Sequence, residues 1–361
     1  MLLRQSEFHT LYHHCLNIMA NIVGTNLNDR LVGTSSSDEI RGLGGNDVLL
    51  GGDGDDFLDG GFGFDTINGG NGNDTTSYAF YSGPIVANLT TGVVGFPGNS
   101  LLTDTLISIE NVIGTNGNDS ITGNNAANVL SGGSGNDTLL GLDGNDVLLG
   151  GDGDDFLDGG FGFDTINGGN GNDTTSYAFY SGPIVANLTT GVVGFPGNSL
   201  LTDTLISIEN VIGTNGNDSI TGNNAANVLS GGSGNDTLNG GLGRDTMTGG
   251  VGNDTFAYNS TTESTAGSNR DVITDFQRGF DKIDLSAIDA NPFNAFLGFN
   301  RNDAFTWKGL NGLISGIGQV RYIQSGANLV VQANTDFNFG NFELEIQLNA
   351  LSSLSSTDVI L

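Results

Sequence analysis

Through most of this chain a single apolar residue returns every nine positions, set in polar, glycine-rich sequence. Leu31, Ile40, Leu49, Leu58 and Ile67 keep this spacing. The beat returns as Ile121, Leu130, Leu139, Leu148, Leu157 and Ile166, and again as Ile220, Leu229, Leu238, Met247 and Phe256. A period of nine matches neither the 3.6-residue turn of a helix nor the two-residue alternation of a long strand, and it marks an internal repeat. Read from Gly24, the chain divides into GTNLNDRLV, GTSSSDEIR, GLGGNDVLL, GGDGDDFLD, GGFGFDTIN and GGNGNDTTS, with the pattern G-G-x-G-x-D-x-U-x, where U is apolar. Seven further units begin at Gly114 and five at Gly213, the last ending at Ala257. Position six is Asp everywhere but Asn128 and Asn227, and position eight is apolar everywhere but Thr76 and Thr175. The x-U-x triplet predicts a short strand with one inward side chain, and the six residues before it predict a turn. Two units then close one flat coil of eighteen residues.

A larger duplication overlies this clock. Gly45–Leu139 is repeated without change as Gly144–Leu238, an offset of 99 residues or eleven nonapeptides, so the phase is kept. Because eleven is odd, the two copies are expected to face opposite edges of a continuous roll. The stretches 78–113 and 177–212 lack glycine-rich turns but keep strand-like runs such as PIVANL, GVVGF and TLISIENVI. Each is four nonapeptides long and reads as metal-free coils of the same solenoid. The expected organisation is an extension over residues 1–18, a repeat region over 19–257 with arrays at 24–77, 114–176 and 213–257, and a β-rich region over 258–361. The extension holds His9, His13, His14 and Cys15, the only histidines and cysteine in the chain. It reads as foreign to the fold, with the working protein starting at Met19; a His/Cys metal site is the other reading.

Composition sharpens the picture. Forty acids stand against ten bases, for a formal charge of -30, which excludes a nucleic-acid groove and argues against an anionic membrane surface. Sixty glycines would suggest disorder were the apolar residues not so regularly placed. One cysteine allows no internal disulfide, and no apolar run approaches the ~18 residues of a membrane span.

The candidate chemistry lies in the turns. Glycines allow positive φ and bring carbonyls close together, and the position-six carboxylate adds a charged oxygen. An all-oxygen cage without histidine or thiolate points to Ca²⁺. The candidate acids are Asp29, Asp38, Asp47, Asp56, Asp65 and Asp74 in the first array. Asp119, Asp137, Asp146, Asp155, Asp164 and Asp173 follow in the second, and Asp218, Asp236, Asp245 and Asp254 in the third. The candidate carbonyl donors are Gly52, Gly54, Gly61, Gly63, Gly70 and Gly72, then Gly133, Gly135, Gly144, Gly151, Gly153, Gly160, Gly162, Gly169 and Gly171, then Gly232, Gly234, Gly241, Gly243, Gly250 and Gly252. Asn128 and Asn227, each with alanine two residues before it, are expected to leave weak or empty sites. Asp53, Asp55 and Asp59, with their copies Asp152, Asp154 and Asp158, read as solvated surface charge. Phe57, Phe62 and Phe64, with Phe156, Phe161 and Phe163, occupy outward positions and read as local packing between turns or as a strip for a partner or sugar.

Eighteen phased copies of this unit resemble the RTX (repeat-in-toxin, hemolysin-type) family over about two-thirds of the chain. The resemblance implies an all-β fold, a parallel β-roll or β-helix solenoid with multiple Ca²⁺ ions between successive turns. Residues 270–288, RDVITDFQRGFDKIDLSAI, with GQVRY and the final DVIL, resemble the C-terminal domain of serralysin-type secreted metalloproteases. That resemblance implies a cap on the roll, an uncleaved signal read by type I secretion machinery, and an extracellular location. The loop near Asp336 is less acidic than the family's, which puts a further Ca²⁺ site there in doubt.

One inward side chain per nine residues is a thin core. A fully buried Leu or Ile contributes roughly 1.5–3 kcal/mol, whereas each residue ordered costs about 1–2 kcal/mol of backbone entropy. Metal binding must therefore supply folding energy. No catalytic residue is expected. There is no H-E-x-x-H and no G-x-S-x-G, and no histidine after His14 to complete a Ser-His-Asp triad. Two readings follow: a secreted, non-catalytic Ca²⁺-binding surface, matrix or adhesive protein, with possible polysaccharide contact; or the Ca²⁺-folding and export module of a metalloprotease, polysaccharide-modifying enzyme or toxin whose catalytic part lies elsewhere. An in-frame catalytic domain upstream of Met19 would favour the second.

Overall fold

In a computed structural model, the described residues are 19–97, 99–288, 305–312, 317–335 and 342–361. The extension 1–18, with its histidines and Cys15, lies outside them, as does Asp336. The chain falls into two units, Met1–Asp173 and Thr174–Leu361. Among the described residues, the regular elements other than a 3-10 turn at Gly267–Asn269 are strands.

In the first unit the x-U-x triplets alternate between two parallel sheets. One sheet runs through Asn21–Val23, Glu39–Arg41, Phe57–Asp59, Thr75–Ser77, Asn111–Ile113, Val129–Ser134, Val147–Asp152 and Thr165–Asn170. The other includes Arg30–Val32, Val48–Asp53 and Thr66–Asn71, and further on Ser120–Thr122, Thr138–Leu140 and Phe156–Asp158. Partners are eighteen residues apart within the arrays, as in Leu31 with Leu49 and Leu49 with Ile67. The position-eight residues Ile40, Leu49, Leu58, Ile67, Ile121 and Leu130 are fully buried. The fold is thus a parallel β-roll with one core side chain per nonapeptide. Phe57–Asp59 lies in the first sheet and its duplicate Phe156–Asp158 in the second, the exchange of faces that an odd number of nonapeptides requires.

Residues 78–113 depart from four plain coils. Val86–Asn88 and Thr105–Ile107 do join the roll in parallel, against Ser120–Thr122 and Thr66–Asn68. Between them Val93–Phe96 runs antiparallel to both neighbours. With no glycine-rich turn to carry the chain across to the other sheet, the segment folds back as a meander.

In the second unit the roll does not stop at Ala257. Thr246–Val251 pairs in parallel with Asp271–Ile273, and Thr255–Ala257 with Lys282–Asp284. Each edge is then covered. Val359–Ile360 pairs with Lys282–Asp284, and Leu344–Leu348 pairs with Asp271–Ile273. Leu344–Leu348 begins an antiparallel ribbon through Asn328–Asn334 and Gln319–Ser325. Covering these edges removes the unpaired backbone groups that would otherwise template association.

Candidate metal centre

The position-six residue ends each turn and opens the next strand. Its backbone N–H donates to Oδ1 of the acid eighteen residues later. One edge of the first unit runs Asp29 to Asp47 and Asp47 to Asp65, both at 2.8 Å. The other runs Asp38 to Asp56 at 2.7 Å and Asp56 to Asp74 at 2.8 Å. The second array continues with Asp119 to Asp137, Asp137 to Asp155 and Asp155 to Asp173, and with Asn128 to Asp146 and Asp146 to Asp164. In the second unit Asp218 leads to Asp236 and Asp236 to Asp254, and Asn227 leads to Asp245.

This bond satisfies half of each carboxylate. In Asp47, Asp56, Asp65, Asp74, Asp137, Asp146, Asp155, Asp236, Asp245 and Asp254 the remaining oxygen, Oδ2, is buried with no hydrogen-bond partner. A buried carboxylate oxygen left this way is costly unless a cation meets it. Backbone oxygen is close by: a Cβ added to Gly51 would lie 2.1 Å from Asp56 Oδ2 and 2.4 Å from the Gly69 carbonyl. Position one is therefore closed to any side chain. At Gly52 φ is +121°, and a Cβ would approach the Thr34 carbonyl to 2.2 Å. Every candidate glycine except Gly162 takes positive φ. Among the described residues no three acidic, histidine or cysteine side chains converge on one point. The donor set is thus one carboxylate per turn plus main-chain carbonyls, hard oxygen ligands that fit Ca²⁺.

Units with Thr at position two differ. The Thr25 N–H donates to Asp29 Oδ2 at 2.6 Å, and the Thr214 N–H to Asp218 Oδ2 at 2.6 Å. Thr34 does the same for Asp38, and Thr115 for Asp119. These four carboxylates, expected to match the rest, are already closed by their own turns. Asn128 and Asn227 are closed by the same position-two amide, from Asn124 at 2.8 Å and Asn223 at 2.9 Å, and their side-chain nitrogens make a further bond. The Asn128 Nδ2 donates to the Glu110 carbonyl at 2.9 Å, and the Asn227 Nδ2 to the Glu209 carbonyl at 2.8 Å. At these two positions an amide N–H₂ donor stands where the other turns offer a carboxylate oxygen.

Some ladder members escaped the sequence reading. Asp104 takes the rung after Asp65, accepting its N–H at 2.9 Å, and its buried carboxylate faces the Tyr78 hydroxyl. Glu110 accepts from Asp74 N–H at 2.8 Å. In the second unit Asp271 accepts from Asp245 and Asp281 from Asp254. None sits in a glycine-rich turn, but each precedes an x-U-x strand: DTLI, ENVI, DVIT and DKID. That half of the motif was the available signal. A correction concerns Asp59 and Asp158, expected as solvated charge. Both are buried, and each accepts from an amide two residues on, Gly61 and Gly160, at 3.0 Å. Asp53, Asp55, Asp152 and Asp154 are exposed as expected.

Burial raises the carboxylate pKa values along the ladders. Asp65 is pushed up to about 7, chiefly by burial and further by the charges of Asp104 and Asp47, against the lowering effect of the Asp47 N–H. Asp137 and Asp146 rise to about 7, and Asp56 and Asp155 to about 6, again led by burial. The ladder is a stack of carboxylates that resists full ionisation unless positive charge arrives.

The family model for the peptidase M10 serralysin C terminal matches residues 158–360. The chain belongs to the serralysin C-terminal family. The RTX calcium-binding nonapeptide repeat matches four times, over 23–58, 50–77, 113–148 and 140–175. RTX repeats bind multiple calcium ions, and Ca²⁺ is accordingly the cofactor of this serralysin-family chain. Similar solved structures include the AlgE6R3 subunit of the Azotobacter vinelandii mannuronan C5-epimerase, at 27% identity over 42% of this chain and 77% of that one, with a TM-score of 0.31. The AlgE6R2 subunit is 24% identical over 52% of this chain and 89% of its own, with a TM-score of 0.27. The extracellular lipase LipA from Serratia marcescens is 16% identical over 70% of this chain and 39% of its own, with a TM-score of 0.20. No curated protein matches the chain. Among the described residues no helix is long and apolar enough to cross a membrane.

Proposed function

We propose that this chain is a secreted, non-catalytic calcium-binding element that folds when Ca²⁺ reaches it after export through type I machinery, and then serves as an extracellular surface or adhesive module. The observation that carries this reading is the row of buried, half-satisfied carboxylates. Asp47, Asp56, Asp65, Asp74, Asp137, Asp146, Asp155, Asp236, Asp245 and Asp254 hold the ions with the neighbouring glycine carbonyls, and Asp164 and Asp173 occupy the same turn position. Asp104 and Asp271 continue the ladder beyond the glycine-rich turns, each beside a buried tyrosine hydroxyl. Asp29, Asp38, Asp119 and Asp218 act instead as closures of their own turns. A second reading is favoured by the family itself, whose description attaches this domain to a peptidase: the chain is the calcium-folding and export module of an extracellular enzyme.

The test is secretion and metal content together. Protein recovered from the medium of cells carrying a type I exporter is expected to contain several Ca²⁺ ions per chain by mass spectrometry. Deleting residues 258–361 is expected to abolish its export. Recovery of the full chain only from the cytoplasm, or secreted protein without bound Ca²⁺, would overturn the reading.

A further inference from the structure

The outward phenylalanines are not spread evenly, and in the first unit they border a cavity. Arg41, Asp59, Phe62, Phe80 and Tyr81 line a recess of about 320 Å³, at the lower end of small-ligand pockets. Phe62 and Phe80 are 69% and 74% exposed, a large apolar cost in water with no gain to the core. Tyr81 makes the rigid wall. Its hydroxyl donates to the Gly61 carbonyl, its ring meets Phe62 edge-on at 5.2 Å, and Phe96 packs behind it at 4.9 Å. The recess also has polar groups. Asp59 is buried there, held by the Gly61 N–H, and the Arg41 guanidinium pairs with Glu39 at 2.5 Å. The Arg41 Nε–H is buried with no hydrogen-bond partner.

We propose that this recess binds a neutral saccharide. A pyranose presents a C–H face that stacks on exposed rings and hydroxyls that both donate and accept. It can meet Phe62 and Phe80 with that face while its hydroxyls accept from the half-exposed end of the Arg41 guanidinium and donate to Asp59. An apolar peptide side chain would cover the rings but offer no hydrogen bond to the Arg41 guanidinium or to the free lone pairs of Asp59 at the recess wall. An acidic glycan is disfavoured by the carboxylates of Glu39 and Asp59 and by a chain charge of -30. The recess spans two glycine-rich turns, those of Leu43 and Gly61, so it is complete only on the rolled chain. The duplicated sequence supplies a natural comparison: 99 residues on, Phe161, Phe179 and Tyr180 repeat the aromatics, but Leu140 stands where Arg41 would be.

The test is calorimetry and saturation-transfer NMR on the full Ca²⁺-loaded chain with cellotetraose, maltotetraose and chitotetraose, and with polygalacturonate as the acidic probe. At least one neutral tetrasaccharide is expected to bind, with saturation passing from aromatic protons to the sugar, and polygalacturonate is expected to bind at least tenfold more weakly. Phe62→Ala and Arg41→Leu are each expected to weaken the neutral sugar at least tenfold, while circular dichroism shows an unchanged Ca²⁺-dependent fold. That control separates loss of the recess from loss of the roll. Absence of binding by all three neutral sugars to a folded, Ca²⁺-loaded chain would overturn the proposal, as would preferential binding of polygalacturonate or affinity indifferent to both substitutions.

Discussion

Asp137 and Asn128 occupy the same turn position, yet their side chains face opposite needs. Asp137 Oδ2 is buried and unpartnered, whereas Asn128 Nδ2 satisfies a carbonyl by itself. Changing Asp137→Asn is therefore expected to remove about one Ca²⁺ per chain, whereas Asn128→Asp, in a turn closed by the Asn124 N–H, is expected to leave the count unchanged; metal analysis of the two variants checks this. The same carboxylates set a pH dependence. The folded pKa of Asp65 and of Asp137 is raised to about 7, above the ordinary value of 3.8. A group raised in this way favours the fold fully below its unfolded pKa, and that contribution is lost as pH rises through the folded value. Without metal, the chain is expected to be most ordered near pH 4 and to lose β signal between about pH 4 and 7. Because Ca²⁺ must displace the retained protons, its apparent affinity should rise across the same interval. A metal-free chain whose circular dichroism is flat from pH 4 to 7 would contradict both statements.

At the scale of the element, turn geometry decides. The nonapeptide strands and their inward residues were legible because a turn of constant length recurs in phase with one apolar residue every nine. Asp104, Asp271 and Asp281 were not, because their turns differ in length and lack the glycines, although their D-x-U-x strands keep the ladder. The meander around Val93–Phe96 was hidden for a related reason. Its length of four nonapeptides imitates the clock, while its turns cannot carry the chain between sheets. Asp38 and Asp56 share the sixth position of their turns and differ through the second, Thr34 against Gly52. The difference is a hydrogen bond donated by the Thr34 N–H to Asp38 Oδ2, where the other turn has Gly52 at φ +121°. Gly52→Ala is expected to destabilise the Ca²⁺-bound roll by about 1–3 kcal/mol, through strain at positive φ and collision with the Thr34 carbonyl. The readout is a higher Ca²⁺ midpoint in titration. Ser36→Ala, in a turn already closed by its threonine, is expected to leave that midpoint unchanged.

At the scale of the whole molecule the central claim is that folding and metal binding are one event. A thin core and like charges stacked every eighteen residues disfavour the roll without cations, and many weak sites sum to a strong bias. At ten times its dissociation constant each site contributes about 1.4 kcal/mol. Chelation is accordingly expected to expose the glycine-rich arrays to proteases throughout, whereas millimolar Ca²⁺ protects them; limited proteolysis in the two conditions checks this. Circular dichroism during a Ca²⁺ titration of the full chain at pH 7.5 tests the claim most directly. A steep, cooperative gain of β signal from a disordered baseline is expected, and a chain already fully β-structured in excess chelator would contradict the coupling of its fold to the metal.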